Sequence, residues 1–281
     1  MTKAGDAAGP FQLVRPVGSG AMAEVWQAQD GRSGQPVAIK LMRRTSDPHQ
    51  AQELERRFLL EASTARLLQH PDIVSVLDTG RTAAGRPWLA LEWLTGQPLS
   101  QHCVAAHRLP ADVVVGLGQR LASALGHAHQ LGVIHRDIKP ENLMFDAATG
   151  QLKITDFGVA RADDSGATQT GMVLGTPAYM APEQLAGAPA CPAGDLYSLG
   201  VVLFELLTSR RPVEAGSLGE WLRRISQEPA TPLLSLRPDL PAVLGVVVDQ
   251  LLERDPASRP PNAEDVALAL ERCQQALVPH C

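Results

Sequence analysis

The chain has 281 residues, a formal net charge of −5 and 44% hydrophobic residues. That suits one large domain or two packed lobes and argues against disorder. The mild charge gives no basic footprint for nucleic acid, and no run reaches the roughly 18 apolar residues of a membrane span. Residues 1–10 are Gly/Ala-rich and read as a flexible tail with no apolar signal-peptide core. Strands are predicted over 11–42, where "FQLVRPVG" and "AEVWQAQD" flank a glycine-rich turn and "QPVAIKLM" follows a "GRSGQP" turn. Residues 50–69 have helical composition. Phe58, Ala62 and Ala65, with Leu67 at the end, form their apolar stripe, and His70-Pro71 stops them. Two strands follow, near 73–80 and 87–92.

After "EWLTGQP" the pattern turns helical. From Pro110, the residues Val114, Leu117, Leu121, Leu125 and Ala128 trace one helix face up to Leu131-Gly132. Residues 195–209 are apolar nearly all round, which predicts a central helix with Asp195 as its N-cap. Further helices are expected over 218–227, 241–253 and 262–275, the last capped by Asn262. The expected organisation is a small lobe at 11–94 and a larger one at 95–277, joined near Glu92–Gly96. Cys103, Cys191, Cys273 and Cys281 form no C-x-x-C and no zinc-ligand spacing, so reduced thiols in the cytoplasm are expected.

Arginine dominates the cations: Lys3, Lys40, Lys139 and Lys153 are the only lysines among 25 basic residues. A retained lysine therefore points to a need for a compact ammonium. "VAIK" ends a strand with Lys40 among apolar neighbours, and Glu61 on the next helix offers it a partner. Gly18-Ser19-Gly20 can bring backbone N–H groups close to phosphate oxygens, though on its own the stretch also reads as a plain hairpin turn. "VIHRDIKPEN", 133–142, crowds polar groups behind an apolar pair. Asp137 can accept a proton from an attacking hydroxyl, Lys139 can neutralise a moving phosphoryl group, and Asn142 can offer an amide oxygen to a cation. Asp156 of "KITDFGVA" adds a carboxylate, and such hard oxygen donors suit Mg²⁺. Any one of these residues alone also reads as a solvated loop charge. His127 and His129, two apart on a helix, make a poor metal pair, and Trp88 and Trp93 read as packing residues.

The conjunction carries more than its parts. "GSGAMAEV", "VAIK", the helix glutamate in "FLLEASTARLLQHPDIV", "HRDIKPEN", "DFG" and "GTPAYMAPEQ" occur in this order. The chain thereby resembles the eukaryotic-like Ser/Thr protein kinase family, most closely its bacterial members, over about residues 11–275. The resemblance implies an α+β, bilobal protein kinase fold: a small β-rich N-lobe with one main helix and a larger, mainly helical C-lobe. It implies ATP and Mg²⁺ (with Mn²⁺ as an alternative ion) as cofactors and Ser/Thr-bearing proteins as substrates. It also implies autophosphorylation of the activation loop, with a homodimer for reaction in trans, and no nucleic-acid partner.

By the same resemblance Val17, Gly18, Ser19 and Gly20 cover the phosphates, and Lys40, paired with Glu61, contacts them. Val25 and Ala38 pack above the adenine and Leu143 below it. Leu91 limits the pocket, and Glu92 and Leu94 bond adenine through their backbones. Asp137 and Lys139 perform the transfer, and Asn142 and Asp156 hold the metal. Lys139 marks a Ser/Thr rather than a tyrosine kinase, and Thr176 bridges Asp137 and Lys139. Glu183 pairs with Arg259, and Asp195 braces the catalytic loop. Arg136 is expected to receive a phosphate from the loop at 162–177, with Thr168 and Thr170 as the sites. One departure is Ala23, which stands at the third glycine of the glycine-rich loop and should affect nucleotide affinity modestly. The rival readings are a pseudokinase acting as an interaction module and a small-molecule phosphotransferase. The first is countered by the presence of Lys40, Glu61, Asp137, Asn142 and Asp156, the second by the "GTPAYMAPEQ" segment.

Overall fold

The structure is a computed structural model and describes residues 2–20, 22–45, 47–157 and 177–277. The chain divides into two compact units, Met1–Thr95 and Gly96–Cys281. The first holds strands β1 (Ala7–Ala8), β2 (Phe11–Ser19), β3 (Ala23–Asp30) and β4 (Pro36–Met42), helix α1 (Pro48–Leu67), and strands β5 (Val76–Arg81) and β6 (Pro87–Glu92). The strands form one antiparallel sheet in the order β1-β2-β3-β4-β6-β5. Period-two alternation gives it two different faces. One buries Phe11, Leu13, Trp26, Ile39 and Ala90, with Trp88 edge-on to Phe11 at 5.4 Å. The other is covered by α1 through Phe58 and Ala62, which meet Ala23, Met42 and Leu89.

In the first unit three sequence expectations change in detail. Residues 2–10 do not form a wholly loose tail, because Ala7–Ala8 pairs with β2 and Ala8 is buried. Gly9 makes this possible: it turns the chain at φ 61°, and a Cβ there would lie 2.6 Å from the Trp88 ring. Leu67 does not join the stripe of α1 but stands 65% exposed, and Leu68 is buried in its place. The helix starts at Pro48 behind the N-cap Asp47, whose carboxylate accepts from the His49 N–H.

The second unit contains a small antiparallel sheet of β7 (Gln97–Pro98), β8 (Leu143–Asp146) and β9 (Gln151–Ile154). Its helices are α2 (Ala111–Gln130), α3 (Pro182–Leu185), α4 (Pro192–Thr208), α5 (Leu218–Gln227), α6 (Leu233–Leu236), α7 (Ala242–Leu251) and α8 (Ala263–Leu277). Helix α4 is buried from Gly194 to Thr208, as its all-round apolar sequence predicts. Asp195, however, is not its N-cap. The helix begins three residues earlier, with Cys191 at the cap and Pro192 in the first turn, so Asp195 lies inside the helix, 1% exposed. Asn262 does cap α8, its Oδ1 accepting from the Asp265 N–H at 2.8 Å. Among the described residues no helix is long and apolar enough to cross a membrane.

Candidate active site

The register of the first sheet gathers the candidate nucleotide residues onto one face. Gly18 lies opposite Val25, Val25 opposite Lys40, and Ala38 opposite Leu91. Directly opposed residues share a face, as do residues two apart in a strand. Leu89, across from Lys40, is buried under α1, whereas Val25, Ala38 and Leu91 stay half-buried. An apolar, partly open surface therefore flanks the lysine. Val17 is 42% exposed in β2; Glu92 ends β6, and Leu94 follows it half-buried.

The Lys40 ammonium meets Glu61 Oε1 at 2.5 Å, with the two side chains only 13% and 9% exposed. A charge this desolvated needs a partner, and α1 brings one on the face that also buries Phe58 and Ala62. At the hairpin the Gly20 N–H donates to the Ala23 carbonyl at 2.9 Å, and the Ser19 hydroxyl accepts from the Arg43 guanidinium. A Cβ at Gly18 would meet nothing nearer than 3.7 Å, and at Gly20 nothing nearer than 3.9 Å. Packing demands neither glycine, and the space beside them is open to an approaching group. Ala23 uses its methyl: it is 3% exposed and packs in the core beside Phe58.

The second unit holds the polar cluster read from "VIHRDIKPEN". Lys139 Nζ donates to Asp137 Oδ2 at 2.7 Å. Asn142 Nδ2 donates to the Asp137 carbonyl at 2.8 Å and to Asp137 Oδ2 at 3.1 Å. A carbonyl only accepts, so the Asn142 nitrogen must face it, and the amide oxygen points the other way as a free-standing donor for a cation. Leu143, fully buried, follows at once as the first residue of β8. Asp156 comes just after β9 with φ 54°, a left-handed conformation uncommon outside glycine. It is held there by its neighbour: the Thr155 N–H and hydroxyl both donate to the Asn142 carbonyl, at 2.9 and 3.1 Å. Backbone strain thus sits at the second of the two candidate metal-binding residues. Asn142 and Asp156 offer hard oxygen atoms of the kind Mg²⁺ accepts, so the donor set fits that ion.

The loop is fixed from within by two buried groups. His135 has no exposed surface. Its Nδ1 accepts from the Asp137 N–H at 3.2 Å and its Nε2 faces the Thr155 carbonyl at 3.0 Å, so the proton belongs on Nε2 and the ring is neutral. Burial, first of all, holds its pKa below the usual histidine range. Asp195, reaching out of α4, accepts from the backbone N–H groups of His135 and Arg136, both at 2.8 Å. It also takes a hydrogen bond from His129 Nε2 at 2.8 Å. The expectation that Asp195 braces the catalytic loop matches these bonds. The role of His129 was not legible, because its partner lies 66 residues away.

Arg136 has φ 66°, and its Nε is buried with no hydrogen-bond partner among the described residues. Thr168, Thr170 and Thr176 lie outside the described residues. Beyond them, Glu183 and Arg259 pair as the sequence suggested, Nη1 to Oε1 at 2.7 Å. Two further groups escaped sequence reasoning. The Tyr179 hydroxyl donates to Glu205 Oε2 at 2.6 Å, and Arg211 lies over the Tyr179 ring at 5.4 Å. Burial first, then the bond to Glu205, pushes the Tyr179 pKa up.

A family model described as the protein kinase domain matches residues 11–269. The serine/threonine-protein kinase PknA of Mycobacterium tuberculosis is 40% identical over 259 residues, covering 89% of this chain and 58% of that protein. PrkC of Bacillus subtilis, also a serine/threonine-protein kinase, is 36% identical over 259 residues, 92% of this chain and 39% of that protein. The serine/threonine-protein kinase pkn3 of Myxococcus xanthus is 37% identical over 268 residues, covering 90% and 48% respectively. The chain spans about half the length of the curated relatives it matches.

Proposed function

The chain belongs to the protein kinase family, and from that premise we propose that it transfers the γ-phosphoryl group of ATP to serine and threonine hydroxyls of proteins. The observation that carries this reading is the bonded cluster of Asp137, Lys139 and Asn142. Asp137 orients the attacking hydroxyl and receives its proton. Lys139, already against that carboxylate, balances the charge of the phosphoryl group in flight. Lys40, held by Glu61, takes the α- and β-phosphates. Gly18, Ser19 and Gly20, with Val17, close over them. Val25, Ala38, Leu91 and Leu143 enclose the adenine, and the backbones of Glu92 and Leu94 read its edge. Asn142 through its amide oxygen and Asp156 through its carboxylate would hold Mg²⁺, or Mn²⁺ in its place, which neutralises phosphate charge when bound.

Catalysis on this reading is mainly positioning and charge stabilisation. All five of Lys40, Glu61, Asp137, Asn142 and Asp156 are in place in the sequence, and no observation favours the pseudokinase alternative. Regulation follows from Arg136: its buried Nε, without a hydrogen-bond partner among the described residues, suits a phosphate carried by Thr168 or Thr170, delivered by a second copy of the chain. Thr176 would bridge Asp137 and Lys139, and the cytoplasm would be the site of action.

The test is the intact mass of phosphatase-treated protein after incubation with Mg-ATP, beside D137N. Additions of about 80 Da per phosphate in the wild type alone, mapping to Thr168 and Thr170, are expected. No addition to the chain and no phosphorylation of a generic Ser/Thr peptide would overturn the proposal.

A further inference from the structure

The first unit carries a second recess, away from the Lys40–Glu61 face. It encloses about 620 Å³, within the range of small-molecule sites. Three guanidiniums line it, those of Arg43, Arg44 and Arg86, against two carboxylates, Asp6 and Glu24. Both carboxylates are already engaged. Asp6 Oδ2 accepts from the Lys3 N–H at 3.0 Å, and Glu24 Oε2 from Trp26 Nε1 at 3.2 Å.

Arg86 is the buried member, 13% exposed. Its Nε and Nη2 donate to the Met42 carbonyl at 3.0 and 2.7 Å, and its Nη1 to the Thr2 hydroxyl at 2.6 Å. Its nearest anion is Glu24, at 4.0 Å. A guanidinium has five N–H donors, so two of those of Arg86 have no hydrogen-bond acceptor among the described residues. Burial first, and the like charge of Arg44 as well, hold its pKa below the usual arginine range against the pull of Glu24. Arg44 is exposed and has no hydrogen-bond or ion-pair partner among the described residues. Three guanidiniums against two carboxylates leave the recess with a net positive charge, which favours an anion there.

We propose that this recess binds a small organic phosphate. Its head would sit against Arg86 and Arg44, with the Thr2 and Thr82 hydroxyls beside it, and its apolar body against Ala7, Ala83 and Ala84. Phosphate fits better than a carboxylate because it offers three acceptor oxygens to donors that arrive from several directions.

Phenyl phosphate and inorganic phosphate, titrated calorimetrically at low salt into the full chain and its R44Q variant, test the site. Binding needs no turnover, so the outcome is independent of the kinase reading. Arg44 bonds to no described residue, so R44Q keeps the fold; R86Q serves as a second variant where it folds. One saturable site for phenyl phosphate is expected, weakened at least about tenfold in R44Q. Tighter binding of phenyl than of inorganic phosphate would assign the apolar wall to an organic ligand. Preference for inorganic phosphate would overturn the organic class. No saturable binding, or equal binding by wild type and R44Q, would overturn the site itself.

Discussion

Glu183 and Arg259, 76 residues apart in the chain, close a two-pronged ion pair at 2.7 and 2.8 Å. The Arg259 side chain is wholly buried. It also donates to the carbonyls of Ala193, Glu253 and Arg254 and lies over the Tyr197 ring at 5.0 Å. One residue thus ties the start of α3, the first turn of α4 and the turn before Arg259 itself. Removing one partner strands a buried charge. R259A should lose about 3–5 kcal/mol of stability in urea unfolding. A loss below about 1 kcal/mol would show that the pair contributes little.

Lys40 and Glu61 separate function from stability. The double variant K40M/E61L replaces a desolvated ion pair with apolar groups and should stay within about 1–2 kcal/mol of the wild type. Phosphoryl transfer should nevertheless fall by at least about 100-fold, since the ammonium is lost. Circular dichroism melts beside an ATP-turnover assay would check this; retained turnover would remove Lys40 from the chemistry.

Asp195 holds the loop by accepting at both oxygens. In D195N one oxygen becomes an NH₂ group facing backbone N–H donors. The expected cost is about 1–3 kcal/mol in stability, with kcat falling more than the KM for ATP changes. Steady-state kinetics reads this split, and an unchanged kcat would make the brace dispensable.

His135 predicts a pH dependence. Its folded pKa lies below the 6.5 of an exposed histidine. The unfolded chain therefore binds a proton that the folded chain refuses, and stability is lost as pH falls below about 6.5. The slope from this group approaches about 1.4 kcal/mol per pH unit until the folded pKa is reached. Urea midpoints between pH 7.5 and 5.5 should fall more steeply for wild type than for H135F. Parallel slopes would mean that the ring takes up its proton alike in the folded and unfolded chain.

Much of this was legible in sequence because local chemistry dictated it. Turn residues around Gly18–Gly20 and Gly31–Gly34 set the strand boundaries, and apolar spacing set α2 and α4. The cluster of Asp137, Lys139 and Asn142 was readable because all three lie within six residues. What escaped was tertiary. Asp195 imitates an N-cap, since an acidic residue ahead of an apolar run is the usual signal, and only Pro192 hinted that the helix starts earlier. His129 and Tyr179 find their partners on α4, at separations no periodicity reports. Leu67 lies nine residues beyond Phe58, about half a turn round the helix axis from the stripe, so it falls on the exposed face of α1.

The bonds from Asp195 to the His135 and Arg136 amides also fix a timescale. A loop that opened by itself would exchange those two amide protons quickly. Here their acceptor is fixed in the buried first turn of α4, so the loop can give up these bonds only by leaving a buried carboxylate unpaired. Loop and core then form one cooperative unit, and heat should end activity and helix structure together rather than one before the other.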